Sequence, residues 1–499
     1  MSARPTRLAL AALAPLLLAG CDFAPKHVRS ANAAPATLPS GGTYPVADAA
    51  APDPTHIGWQ DFFTDDRLRQ VIALGLANNR DLRVAAGNVL QARAQYHVQR
   101  ADLLPSVSGQ ASATFTNSPY GISGVTGTGT TGAGAGTTTG TGTGVTTGTT
   151  TGSATTTSDT IKIYQVGLGV SAFELDLWGR VRNLTKAALD QYLATEEGSR
   201  ATRIMLIGEI ATAYATMAAD QDQLKISEQT LKTYADTLEL TRAQFRIGTS
   251  SELESRQAET NYENARNDTA VLRSQIAQDQ NALNLLVGTT VPTELLPATL
   301  GAFTISDLPA GISSTLLQQR PDVLQAEDQL KAQNANIGAA RAAFFPTISL
   351  TASIGTIAPQ LSSLFDSGTK AWTVAPSAVL PIFDYGRNLG NLAYAKASRD
   401  VAVATYEKTL QTAFREVADA LATRGTIHEQ IDAQQRKAAA AEIAAKLATA
   451  RYRAGVDSFL TTLDTQRTSY AAQQTLVSTR LAEASNLITL YRTLGGGLK

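Results

Sequence analysis

The chain carries one pattern twice, and this duplication constrains its fold more than any other feature. Asp81-Leu82 through Leu104-Pro105 reads like Asp322-Val323 through Phe345-Pro346, an offset of 346 − 105 = 241 residues. Further along, Leu177-Trp178-Gly179-Arg180 matches Asp384-Tyr385-Gly386-Arg387. Phe245-Arg246-Ile247-Gly248 matches Tyr452-Arg453-Ala454-Gly455, and Gly288 matches Gly495, all at 455 − 248 = 207. The register slips once, by 241 − 207 = 34 residues, between Pro105 and Trp178. That interval holds Gly121 to Thr157, a Gly/Thr tract with almost no apolar side chain. Such an insertion cannot bury enough surface to fold and reads as a mobile loop. A surface loop that screens or recognises something outside the cell is the functional alternative.

Within each repeat the order is helix, two strands, long helix, helix. After Pro105, Val107, Gly109, Ala111, Ala113 and Phe115 alternate with Ser108, Gln110, Ser112, Thr114 and Thr116. After Pro346, Ile348, Leu350, Ala352 and Ile354 alternate with Thr347, Ser349, Thr351 and Ser353. Tyr164, Val166, Leu168, Val170 and Ala172 form a third set, and Trp372, Val374, Ala378, Leu380 and Ile382 a fourth. Runs of roughly ten residues with period two fit strands that cross a membrane with lipid on one side and water on the other. They also fit half-buried strands of a soluble sheet. Four strands cannot close a barrel, whose small limit is about eight, and open edges are not tolerated in lipid. Membrane strands would therefore be shared between chains, and three copies give 3 × 4 = 12.

The helices are long. From about Asn183 to Ile247 there is no proline, and at about 1.5 Å per residue this predicts close to 100 Å of helix. Ile210, Met217, Leu224, Leu231, Leu238 and Phe245 recur every seventh residue, the period of a left-handed coiled-coil seam. Gly248 ends the run, Ser250 and Ser251 can cap the next helix, and that helix reaches about Leu286. One helix of similar length is expected from near Asp66 to Pro105. The second repeat behaves likewise from about Asn388 to Arg453, although Arg424 falls on its seam. Helix-helix turns then form tips at Gly248 and Gly455.

At the N-terminus, Arg4, Arg7 and the apolar stretch Leu8 to Leu18 read as an export signal. Leu18-Ala19-Gly20-Cys21 follows as a lipobox, with Cys21, the chain's one cysteine, as the lipid-bearing residue. No later stretch of about 18 apolar residues suggests a transmembrane helix. A net charge of −1 argues against a nucleic-acid partner. His27, His56, His97 and His428 are scattered without metal-ligand spacing, and no phosphate loop or nucleophile elbow is present. No enzyme activity, metal or cofactor is expected.

The motifs resemble the outer membrane factor family, specifically its lipoprotein branch of multidrug-type efflux channels. They are Cys21-Asp22-Phe23-Ala24-Pro25, Trp59-Gln60-Asp61-Phe62-Phe63, and Asn79-Arg80-Asp81-Leu82. Phe173-Glu174-Leu175-Asp176-Leu177-Trp178-Gly179-Arg180 pairs with Leu380-Pro381-Ile382-Phe383-Asp384 and Gly386-Arg387. The most specific run is Arg451 to Leu460, continuing through Leu463-Asp464-Thr465-Gln466-Arg467. The resemblance implies a mainly α fold with a membrane β-barrel. Each chain would give four transmembrane strands and long coiled-coil helices, assembling as a homotrimer into a 12-stranded β-barrel and a periplasmic α-helical barrel. It implies an outer-membrane location, lipid neighbours, a periplasmic adaptor and an inner-membrane transporter of RND type. It also implies a periplasmic gate at Tyr452, Arg453, Leu460 and Asp464, with adaptor contact at the tip turns Gly248 and Gly455. Leu460 and Asp464 are four apart and share a helix face. Three-fold symmetry would make each a ring, with Arg453 as the nearest candidate partner of the acid. Seam packing for Leu460 and a solvated charge for Asp464 are the plainer alternatives.

In the first repeat the equivalent positions are Phe245, Arg246, Leu253 and Gln257, so the acid is replaced and the two tips are not expected to be equivalent. His27 departs from the aromatic that relatives commonly carry, and Asp22 after the lipid-bearing cysteine raises a sorting question. The expected organisation is signal peptide 1–20, lipidated segment 21–62, repeat 63–290 with its loop at 119–160, linker 291–310 and repeat 311–499. A lipid-anchored coiled-coil surface protein and a type I protein-secretion channel are the rival readings.

Overall fold

The computed structural model describes residues 22–29, 35, 37–45, 58–116, 160–302, 305 and 314–496. The expected signal peptide, Cys21 and the Gly/Thr tract lie outside the described residues. The chain divides into two compact units, one built around the strands and one around the helices.

The strand unit contains β1 (Val107–Thr116), β2 (Ile161–Glu174), β3 (Thr347–Ala358) and β4 (Lys370–Val379). They form one antiparallel sheet in the order β1-β2-β3-β4. All four expected strands are present. The fourth ends at Val379, short of Leu380 and Ile382, which stay exposed beyond it. Register fixes the faces. Val107 lies opposite Val170, which lies opposite Ala352, which lies opposite Val374. Leu168 likewise aligns with Ile354 and Trp372. The period of two then puts the apolar sets of all four strands on one continuous face. Ser, Thr, Gln and Gly dominate the other, beside Ala371, Ala375 and, toward the strand ends, Ile161, Ile163, Ile357 and Val379; there the Ser349 and Ser377 hydroxyls meet at 2.8 Å. One extra residue between Val170 and Phe173 makes a bulge, with Ala172 at φ 46° and its N–H donating to Thr351 Oγ1 at 3.2 Å.

Aromatic rings pack at the base of the sheet. Phe345 stacks between Phe23 and Trp178, with centroids 5.0 and 4.8 Å away. Trp178 Nε1 donates to the Pro346 carbonyl at 2.9 Å. The Pro that ends the helix before β3 thus serves as an acceptor, although its ring nitrogen carries no hydrogen to donate.

The helical unit is built on helices that begin with α1 (Trp59–Phe62), α2 (Asp66–Asn78) and α3 (Arg80–Ala101). Next come α4 (Arg180–Arg246), α5 (Glu252–Val287) and α6 (Pro321–Ala342). The last two are α7 (Arg387–Arg453) and α8 (Phe459–Thr493). The ends of α3, α4, α6 and α7 belong to the strand unit. At 67 residues each, α4 and α7 are the same length, as two copies of one unit require. Among the described residues no helix is long and apolar enough to cross a membrane.

One expected helix is two. The run from Asp66 to Pro105 breaks at Asn79, which is buried to 3% exposure. Its Nδ2 donates to the Leu286 carbonyl at 2.8 Å, and its Oδ1 accepts from the Leu82 N–H at 2.9 Å. The side chain therefore caps the new helix and reaches α5 at once. Arg320 stands in the same place in the second repeat (79 + 241), and its Nη1 donates to the Thr493 carbonyl at 2.9 Å (286 + 207). Arg320 also engages Asp322 and Glu416, at 2.7 and 3.0 Å. The same backbone contact is thus made by an amide in one repeat and by a guanidinium in the other.

The heptad seam buries Ile210, Met217 and Leu238 and half-buries Leu224 and Leu231, then runs out at exposed Phe245. The main core gathers Phe62 and Phe63 against Tyr491, with Leu68, Ile72, Ile210, Tyr214, Leu283 and Tyr406.

Candidate functional site: helix tips and the apolar strand face

Both tips use one solution. At the end of α4, Gly248 adopts φ 77° and its N–H donates to the Phe245 carbonyl, while Thr249 N–H reaches Gln244. At the end of α7, Gly455 adopts φ 75°, donating to Tyr452, while Val456 N–H reaches Arg451. This left-handed cap satisfies the last carbonyls and needs glycine, because a Cβ is strained at positive φ. The next helix then starts on a serine. Ser251 Oγ accepts from Glu254 N–H, and Ser458 Oγ from Thr461 N–H, both at 3.3 Å.

The side chains around the two turns differ. Arg451 donates twice to Asp457, at 2.6 and 2.8 Å, and this pair holds the Asp457 carboxyl below the usual range. Its first-repeat equivalents are Gln244 and Ser250, which carry no charge. One turn deeper, Arg242 and Glu259 pair at 2.7 Å in the first tip, and Arg256 adds a second bond to Glu259. Their equivalents are Thr449 and Gln466, joined by a neutral bond of 3.3 Å. The first tip is therefore bound by charge one turn from its end, and the second at its end.

The chain matches the outer membrane efflux protein family over residues 71–289 and 312–496. It belongs to that family. The chain is 43% identical over 487 residues to the probable efflux pump outer membrane protein TtgC of Pseudomonas putida strain KT2440, covering 97% of this chain and 94% of the relative. The open-state MtrE outer membrane channel of Neisseria gonorrhoeae superposes with a TM-score of 0.80 at 35% identity, covering 96% of this chain and 99% of MtrE. A membrane protein from Pseudomonas aeruginosa gives 0.82 at 38% identity, covering 96% and 98%. The fold is accordingly that of the outer-membrane efflux channels, and the protein acts in the outer membrane as an efflux-pump component.

In this efflux protein the four expected gate residues part company. Tyr452 is half-buried, packs on Phe459 at 5.5 Å, and donates from its hydroxyl to Gln244 Oε1 at 2.7 Å. It therefore ties the second tip to the first, and burial raises its pKa. Leu460 is 65% exposed, and Arg453 and Asp464 are exposed as well. The expected Arg453–Asp464 pair is absent within the chain among the described residues. Arg453 ends α7 and Asp464 lies in the second turn of α8. The acid bonded across this turn is Asp457 instead. Leu460 and Asp464 do share the outward face of α8, while Phe459 and Leu463 beside them are buried. Sequence reasoning missed the Arg451–Asp457 and Arg242–Glu259 pairs. The first lay within the quoted motif and could have been found as opposite charges flanking a Gly turn.

Proposed function

We propose that three copies of this chain join their four-stranded sheets into one 12-stranded barrel and their helices into a periplasmic tunnel. The assembly is the passive exit duct of a tripartite efflux pump for drugs or other small molecules. One observation carries this reading: the sheet has a continuous apolar face and a mainly polar face, and its outer edges at β1 and β4 are unpaired among the described residues of the chain. Open edges in lipid leave N–H and C=O groups unsatisfied, so the edges need the strands of neighbouring copies. The helical tips close the duct. Leu460 and Asp464, exposed in one chain, line up as rings around a three-fold axis, with Tyr452 and Arg453 beside them. A leucine ring narrows the bore, and a ring of carboxylates repels itself unless an arginine from a neighbour compensates it. A periplasmic adaptor engages the turns at Gly248 and Gly455, and an inner-membrane transporter, of RND type, supplies the energy. Lipidation at Cys21 anchors the N-terminal segment, and no chemistry occurs in the subunit.

The test is single-channel conductance in planar bilayers. Leu460→Ala with Asp464→Ala raises conductance several-fold, while the first-tip pair Leu253→Ala with Gln257→Ala has the smaller effect. Unchanged conductance in the Leu460/Asp464 variant removes the gate assignment.

A further inference from the structure

The four strands contain two cationic side chains, Lys162 and Lys370. Lys162 is the second residue of β2 and Lys370 the first of β4, so both stand where the strands meet the loops. Register puts both on the apolar face, Lys162 opposite Phe115 and Lys370 opposite Thr356. Two residues along on that face come Tyr164 and Trp372. Both lysines are exposed, and neither joins an ion pair among the described residues. The one carboxylate of the strands, Glu174, sits at the far end of β2 and is neutralised by Arg180. The face is thus mostly apolar along its length and carries both lysines at a single rim, the one opposite the helices, where the described residues set these two ammonium groups against one carboxylate, Asp366 of the loop between β3 and β4.

An ammonium inside the hydrocarbon is costly, but at the headgroup level it reaches phosphate while its stem lies along an aromatic neighbour. A zwitterionic headgroup already carries its own cation. A headgroup whose phosphates lack one is the better complement. We propose that this rim docks a lipid with an anionic, phosphorylated headgroup in the outer leaflet, with Lys162 and Lys370 as its phosphate contacts. The inference rests on the shared-barrel reading. Since β2 and β4 each bring one lysine, three copies place a cation on every second strand. Register sets Lys370 level with Val166, four residues from Lys162 along the strands, so within one sheet the two stand about 16 Å apart, from twice the strand spacing and about 13 Å of strand rise.

Wild-type trimer and the K162Q/K370Q double variant, purified in one uncharged detergent, are titrated with bisphosphorylated lipid A and with its dephosphorylated form. Bound lipid is counted by native mass spectrometry. Wild type favours the phosphorylated form, the double glutamine variant loses roughly tenfold of that preference, and K162R/K370R keeps it. Equal binding of the two lipids by wild type, or an undiminished preference in the glutamine variant, overturns the proposal. Trimer mass and conductance are read on the same samples. An intact, conducting glutamine variant with unchanged preference sinks this inference and leaves the channel standing, whereas wild-type chain that never forms a trimer sinks both.

Discussion

Gly248 and Gly288 offer a matched pair of perturbations. Both follow the last residues of a long helix at φ 77°, so alanine at either pays the left-handed penalty of roughly 1–2 kcal/mol. Their surroundings differ. Around Gly248 a Cβ would meet nothing within 4 Å. At Gly288 it would stand 2.6 Å from the Asn78 carbonyl oxygen, 2.9 Å from its carbon and 3.1 Å from Asn79 Cα. Ordinary contact begins near 3.4 Å, so the oxygen would have to retreat by 3.4 − 2.6 = 0.8 Å. That backbone is the helix break held by Asn79, through its bonds to Leu286, Leu82 and Gly75. It yields only by loosening them, and overpacking of this kind costs about 1–3 kcal/mol more. Gly288→Ala should therefore destabilise by about 2–5 kcal/mol in all, and Gly248→Ala by only the first part. The assay is the thermal loss of helical circular dichroism in purified protein, with both variants and wild type run at one scan rate. Equal losses in the two variants would refute the close approach of α5 to the Asn78–Asn79 backbone.

Two further predictions concern charges. Burial and the adjacent Asp279 carboxylate push Asp220 up to about 6, so the folded chain holds a proton more tightly than the unfolded one. That stabilisation is complete below the ordinary value of 3.8 and is lost as pH rises through about 6. Asp220→Asn should raise the thermal midpoint at neutral pH and flatten its dependence between those values; an unchanged slope would count against the raised Asp220 carboxyl. Asp457→Asn should leave the melting temperature almost unmoved, because its pair with Arg451 is solvated. It should instead speed amide exchange at Gly455 and Val456, and exchange at the wild-type rate would show the pair to be idle at the turn.

The residues themselves determined the duplication, the strands and the tips, because each is a local rule. Alternation of Val107 to Phe115 leaves one face apolar whatever lies around it, and Gly455 with Ser458 ends one helix and starts another within four residues. Family motifs carried the functional reading. The break at Asn79 was not legible, since neither glycine nor proline marks it. It exists because an amide side chain meets the carbonyl of Leu286, 207 residues away, and because Gly288 lets the two backbones touch. The pairing of Arg451 with Asp457 rather than Arg453 with Asp464 was also decided in three dimensions. Sequence spacing says which charges are near a turn, but only the directions in which the two helices leave it say which side chains face each other.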